Sequence, residues 1–158
     1  MMVVDANLLL YAYNPSAGQH EKARAWLEKV LSGTEPVALP WVVVLAFLRI
    51  GTNPRAFPQP LTTAEAVSIV SEWFAQPNVR VLEPTDRHWT LLAALLPAAQ
   101  VKGPLVTDAH LATLAIEHGA TLCSTDGDFS RFPRLRWRNP LATLAGSLAE
   151  GDAGYEAE

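Results

Sequence analysis

The stretch ATLCSTDGDFSRFP, residues 120–133, places two carboxylates directly after a short apolar segment. Its first five residues have the composition of a buried β-strand, which runs straight into Asp126, Gly127 and Asp128. A turn of this composition has two interpretations. Either Asp126 caps a helix, as aspartate often does, or the pair of aspartates supplies half of a metal site.

Short apolar strands alternate with helical segments along the rest of the chain. The predicted strands are MVVD, PVALP, NVRVLE, ATLCS and LRWRN, and the predicted helices are NLLLYAYN, residues 19–31, WVVVLAFLRIG, TTAEAVSIVSEWFAQ, TDRHWTLLAALLPAAQ (helical until Pro97) and VTDAHLATLAIEHG. This alternation predicts a three-layer α/β fold with a mainly parallel central sheet. We expect residues 1–140 to form one domain and residues 141–158 to form a loose acidic tail.

The fourth of these helices carries the clearest local signals. It opens with a capping box made by Thr62 and Glu65. Its helical spacing predicts a single buried face that contains Val67, Val70, Trp73 and Phe74.

Composition places the chain among folded cytoplasmic proteins. Of its 158 residues, 49% are hydrophobic and 18% are charged, which suits one domain with a substantial core. The lone cysteine, Cys123, allows no disulfide and no zinc cluster, which favours a reducing compartment. The first residues lack the basic region of a signal peptide, and no apolar run is long enough to cross a membrane.

Charge is distributed unevenly along the chain. The net charge is −4, but four of the sixteen acidic residues lie in the last nine positions, so that residues 1–149 are neutral. Four arginines crowd into RFPRLRWR: Arg131, Arg134, Arg136 and Arg138. They are candidates for contacts to an RNA backbone, and the alternation of a strand puts the last two on one face. A solvated edge strand that discourages self-association explains them equally well.

The isolated aspartates fall where ligands collect in parallel sheets. Asp5 ends the first strand, Asp108 opens a helix, and Asp126 and Asp128 follow a later strand, so that all four are expected at one sheet edge. Each alone is explained by helix capping. Together they repel one another unless a cation lies among them, and oxygen ligands of this kind suit Mg²⁺ or Mn²⁺.

Three segments in order, MMVVDANLLLYAY, VTDAHLATLAIEHGATLCSTDGDFSRF and LRWRNPL, closely resemble a PIN domain of the VapC toxin type over roughly residues 2–140. The resemblance implies an α/β/α nuclease that uses Mg²⁺ or Mn²⁺ to cut RNA and is held inactive by a VapB-type antitoxin protein. By the same resemblance the catalytic acids are Asp5, Asp108, Asp126 and Asp128, the first three bind metal, and Asn7 and Thr125 orient them.

One position departs from the family pattern. Many PIN domains carry a Glu three residues before the Arg that stands here as Arg49, and in this chain the position is Ala46. We expect Arg49 to support the site, most simply by pairing with a buried carboxylate. The departure leaves open one or two metal ions, and an alternative function as a weakened PIN module that binds RNA or a protein.

Other features support neither reading strongly. The apolar helices leave surface for a homodimer face or an antitoxin groove. The four histidines show no ligand spacing and are interpreted as structural. A haloacid-dehalogenase phosphatase is disfavoured, because its DxD pair stands near the N-terminus, whereas here Asp5 is followed by Asn7 and the DxD pair comes late.

Overall fold

The computed structural model describes residues 1–142. The elements in chain order are β1 (Met2–Val4), α1 (Ala6–Tyr13), α2 (His20–Leu31), β2 (Val37–Ala38), α3 (Trp41–Gly51), α4 (Thr63–Phe74), β3 (Val79–Arg80), α5 (His88–Ala98), α6 (Leu105–Glu117), β4 (Thr121–Cys123), a 3₁₀ helix (Gly127–Arg131) and β5 (Arg136–Arg138). From residue 143 onward, the predicted acidic tail lies outside the described residues.

The strands form one five-stranded sheet in the order β3-β2-β1-β4-β5, and every neighbouring pair is parallel. The predicted α/β fold with a parallel sheet is confirmed. β1 lies at the centre and pairs in register with β4, so that Val4 faces Cys123. The backbone N–H of Asp5 then donates to the Cys123 carbonyl at 3.0 Å. The carboxyl ends of β1 and β4 therefore meet at one point of the sheet edge.

The core explains why the central strand is apolar throughout. Met2, Val3 and Val4 are 0–2% exposed, as expected for a strand that is covered on both faces of a parallel sheet. On one side of the core, the rings of Tyr13, Phe47 and Trp73 lie 4.6–5.8 Å apart at tilted and edge-to-face angles. Aromatic contacts of this geometry add to the energy of burial and lock α1, α3 and α4 together.

Most helix ends follow the local signals. The capping box at the start of α4 is present: Glu65 N–H donates to Thr62 Oγ1, and Thr62 N–H donates to Glu65 Oε1. Gly119 adopts a φ of 63° just after α6, a conformation that costs glycine little. α5 continues one residue beyond Pro97, to Ala98.

Two expectations about packing and length are wrong. The buried stripe of α4 is made by Ala66, Val70 and Trp73, at a spacing of four and then three residues, and Val67 is 53% exposed at its margin. The predicted strand NVRVLE shrinks to the two residues of β3, because β3 lies at the sheet edge and pairs only with β2. Within residues 1–142, no helix is both long enough and apolar enough to cross a membrane.

Candidate functional site

Two of the four aspartates are helix caps at the carboxyl ends of strands. Asp5 is the N-cap of α1, and its Oδ1 accepts from Ala6 N–H at 2.8 Å. Asp126 is the N-cap of the 3₁₀ helix, and its Oδ1 accepts from Asp128 N–H at 2.8 Å. Asp108 lies in the first turn of α6. The capping interpretation of the sequence is therefore correct for Asp5 and Asp126, and it does not exclude a second role.

Ser124 joins two of these aspartates. Its buried hydroxyl donates to Asp5 Oδ2 at 2.7 Å and accepts from Asp126 N–H at 3.0 Å and from Asn7 Nδ2 at 3.2 Å. Sequence reasoning missed this residue and assigned the orienting role to Thr125, an assignment that stays a prediction. The available signal was that Ser124 is the first residue after β4, directly beside the first residue after β1.

Burial and the charges of neighbouring acids raise the pKa values of Asp5 and Asp108. Burial, assisted by the charge of Asp126, raises the pKa of Asp5 to about 6 against the opposing effect of its hydrogen bonds from Ser124 and Ala6. Burial, followed by the charges of Asp5, Asp126 and Asp128, raises the pKa of Asp108 to about 7. The negative charges of three aspartates thus act on the fourth, Asp108, and a cation placed among them would relieve this repulsion.

The donor set suits a hard divalent cation. All the side chains gathered here offer oxygen, and Asn7 Oδ1 is buried without a hydrogen-bond partner among the described residues. Within residues 1–142, no three His, Cys, Asp or Glu side chains converge closely enough to hold an ion as they stand. Mg²⁺ usually takes only one or two carboxylates and completes its shell with waters and substrate phosphates. The residues therefore fit such an ion by chemistry and charge.

The fifth acid of the family pattern is missing from α3. Ala46 occupies its place on the helix WVVVLAFLRIG, which contains no carboxylate. Glu35 lies 3.7 Å from the amino group of Met1 at the opposite end of the sheet, and Glu65 is engaged in the capping box. Neither one substitutes for the absent Glu. Arg49 is exposed on the last turn of α3.

The four clustered arginines do not act as a unit. Arg131 lies on the 3₁₀ helix with its Nη2 3.7 Å from Asp128 Oδ1. Arg136 donates to the Gly119 carbonyl, which precedes β4 and thus lies at the far end of the sheet. Arg138 hydrogen-bonds the thiol of Cys123, and Arg134 is exposed with a φ of 70°.

The histidines contribute to packing, as interpreted from the sequence. The fully buried carboxylate of Glu117 accepts from Thr85 N–H at 2.7 Å and lies 2.8 Å from His88 Nδ1. His88 Nε2 lies 2.9 Å from His110 Nδ1, and burial and the neighbouring His88 lower the pKa of His110. This chain of contacts clamps α5 onto α6. Sequence spacing could not reveal it, because its members come from different elements.

The sequence model of the PIN domain matches residues 2–135. Ribonuclease VapC37 of Mycobacterium tuberculosis is 44% identical over 144 residues, which cover 91% of this chain and 100% of that protein. The chain belongs to the VapC group of the PIN-domain family. Ribonuclease VapC33 of the same species is 40% identical over 141 residues, covering 89% of this chain and 99% of VapC33.

Solved structures of other VapC-group proteins share the fold. VapBC2 from Rickettsia felis, bound to a DNA fragment of its promoter, contains a chain with a TM-score of 0.62 at 19% identity, covering 87% of this chain and 97% of that one. VapC20 of Mycobacterium tuberculosis, a toxin that cleaves the sarcin–ricin loop, gives a TM-score of 0.60 at 19% identity, covering 86% and 99%. At this identity the likeness concerns the fold alone.

Proposed function

We propose that this VapC-group protein is a Mg²⁺- or Mn²⁺-dependent endoribonuclease that acts as the toxin of a toxin–antitoxin pair. The observation that supports the proposal is the position of Asp5 and Asp126 at the carboxyl ends of β1 and β4, joined through Ser124, with Asp108 near enough for the charges of both to raise its pKa. The names of the relatives support it: proteins 44% and 40% identical over nearly their whole lengths are ribonucleases.

Asp5, Asp108, Asp126 and, at the exposed margin, Asp128 would supply the ligand oxygens. A divalent cation bound there would polarise the phosphate and lower the pKa of a coordinated water. The protein's part is to hold the acids in place. Ser124 holds Oδ2 of Asp5, and the turn after β4 holds Oδ1 of Asp126. Both carboxylates are therefore in position before the substrate binds, and no free energy is spent on ordering them during the reaction.

Asp108 has a further property that suits this chemistry. A carboxyl group whose pKa is raised to about 7 exchanges its proton readily at neutral pH. Before a cation binds, Asp108 can hold a proton that lowers the repulsion among the acids. A cation held by Asp108 would require the carboxylate to be deprotonated, so that cation affinity would rise with pH.

The proposed partners are an RNA substrate, a VapB-type antitoxin and a second copy of the chain, in the cytoplasm. The solved structures with a similar fold include VapBC complexes from Rickettsia felis and nontypeable Haemophilus influenzae. They support the proposal that this protein also binds an antitoxin. Apolar side chains without cover supply surface for such contacts. On α3, Trp41 is 51% exposed and Leu45 is 60% exposed.

A second candidate function rests on Ala46. Without a carboxylate on α3, the site has one acid fewer than many PIN domains, and turnover could be weak while binding persists. The protein would then act by holding RNA or a protein partner. The two candidates differ in whether the remaining aspartates support metal binding and cleavage.

Calorimetric titration of Mn²⁺ separates them first. The parent is compared with Asp5→Asn and Asp108→Asn, and with Asp86→Asn as a control that removes an exposed carboxylate from the loop before α5. The nuclease proposal expects binding in the parent and the control, loss in the two site variants, and Mn²⁺-dependent cleavage of an RNA oligonucleotide. Mn²⁺ and RNA binding without cleavage favours the second candidate. Absence of Mn²⁺ binding in the parent, even with RNA present, refutes the nuclease mechanism.

A further inference from the structure

A basic side chain, Arg131, lies beside one of the clustered acids. The guanidinium of Arg131 lies 3.7 Å from Asp128 Oδ1, and its charge lowers the pKa of Asp108 against the larger effects that raise it. Arg131 therefore contacts one acid of the cluster directly and acts through its charge on a second, which comes from a different segment of the chain. A cation-binding site gains nothing from a fixed positive charge, since that charge repels the metal ion.

The backbone that carries Arg131 is held firmly. Asp126 caps the 3₁₀ helix at its start, and the buried rings of Phe129 and Phe132, 1% and 3% exposed, anchor it on both sides of the arginine. The guanidinium itself remains partly exposed, with 35% of its side-chain surface accessible. The backbone of Arg131 is thus held in place, while its guanidinium remains accessible to a ligand.

The contact between Arg131 and Asp128 is easily exchanged. At 3.7 Å, with the Asp128 side chain 55% exposed, it is longer than a charge-assisted hydrogen bond and stabilises the fold by at most about 1 kcal/mol. A phosphate offers the planar guanidinium two parallel hydrogen bonds and a stronger charge. An incoming phosphodiester can therefore displace Asp128 at little cost.

Two of the other three arginines of the segment are engaged elsewhere. Arg136 is bonded to the Gly119 carbonyl at the amino end of β4, away from the acids. Arg138 is bonded to the thiol of Cys123. Arg131, by contrast, lies near enough to the acids for its charge to lower the pKa of Asp108.

We infer that Arg131 is the phosphate-binding residue of the site: it exchanges Asp128 for the reacting phosphate of RNA and holds that phosphate on the side of the site where Asp108 lies. The inference rests on the proposed ribonuclease function and deepens it, because it gives one named arginine of the clustered four a position beside the reacting atoms. Its positive charge then stabilises charge that develops on the phosphate oxygens during cleavage.

The test compares Arg131→Ala and Arg131→Lys with the parent, with Arg55→Ala as a control of equal charge change in the exposed loop beyond α3. Three quantities are measured: kcat and KM for an RNA oligonucleotide with Mn²⁺, RNA affinity without divalent metal, and Mn²⁺ affinity without RNA. Arg131→Ala should lower kcat by about 100-fold, a typical effect of losing one charge-stabilising group, with a smaller change in KM. Arg131→Lys should recover part of the loss, because the charge remains but the fork is absent.

The Mn²⁺ titration distinguishes a phosphate contact from a structural role. Removal of the positive charge should leave Mn²⁺ affinity unchanged or raise it by a few fold, whereas a variant with a damaged site should lose it. Cleavage by Arg131→Ala within twofold of the parent overturns the inference while the proposed function stands. Parallel loss of Mn²⁺ binding and cleavage overturns it as well. If the parent binds Mn²⁺ but cuts no RNA, the proposed function fails, and this inference fails with it.

Discussion

Replacing Asp108 with asparagine should make the metal-free protein more stable at neutral pH, although it removes a proposed ligand. The physical reason is the raised pKa of this carboxyl group, which moves from 3.8 to about 7 through burial and the charges of three other aspartates. A folded state that binds a proton more tightly than the unfolded chain loses stability when that proton is removed. The amide has the shape of the acid without the charge, so the loss disappears.

The size of the effect follows from the shift. A rise of about three pKa units corresponds to about 4 kcal/mol when the group is fully ionised. Because the side chain is half-buried and solvent screens its neighbours, we halve this figure to about 2 kcal/mol. For a domain of this size, the gain raises the melting temperature by roughly 4–8 °C. The gain is absent below about pH 4, grows as the pH rises toward 7, and is constant above that.

Thermal unfolding in EDTA at pH 5 and pH 8 checks the prediction. The melting temperature of Asp108→Asn should exceed that of the parent at pH 8, and the difference at pH 5 should be between a third and a half of the difference at pH 8. The melting temperature of Asp86→Asn should equal that of the parent at both pH values. Addition of millimolar Mn²⁺ should stabilise the parent and leave Asp108→Asn nearly unchanged. If Asp108→Asn melts at or below the parent at pH 8 in EDTA, the proposed repulsion among the acids is wrong.

Three further changes test other parts of the structure. Ser124→Ala removes the donor to Asp5 Oδ2, so the pKa of Asp5 should rise further and Mn²⁺ affinity at pH 6 should fall more than at pH 8, measured by titration at both values. Glu117→Ala leaves His88 and a backbone N–H without their buried acceptor, and urea unfolding should show a loss of roughly 2–4 kcal/mol; a loss below 0.5 kcal/mol would contradict the clamp. Thr62→Ala breaks the capping box and should cost about 1 kcal/mol in the same assay without changing Mn²⁺ affinity.

Local sequence signals predicted most of the elements correctly. The apolar runs around Val3 and Leu122 are buried strands, and the capping box at Thr62 starts a helix as expected. Errors arose where the environment decides the outcome. The exposure of Val67 and the shortening of β3 depend on which neighbours cover them, and periodicity alone does not specify those neighbours.

The site shows the same division more sharply. The sequence by itself determined the family resemblance, the aspartates that carry it, their capping chemistry and the absence of a carboxylate at Ala46. Only the tertiary structure decided that Ser124 joins Asp5 to Asp126, and that Arg131 lies 3.7 Å from Asp128 whereas Arg136 bonds the Gly119 carbonyl at the other end of β4. The physical reason is the parallel pairing of β1 with β4, which brings together residues 119 positions apart in sequence. The spacing of side chains along one helix or strand cannot predict a contact between residues of two different elements.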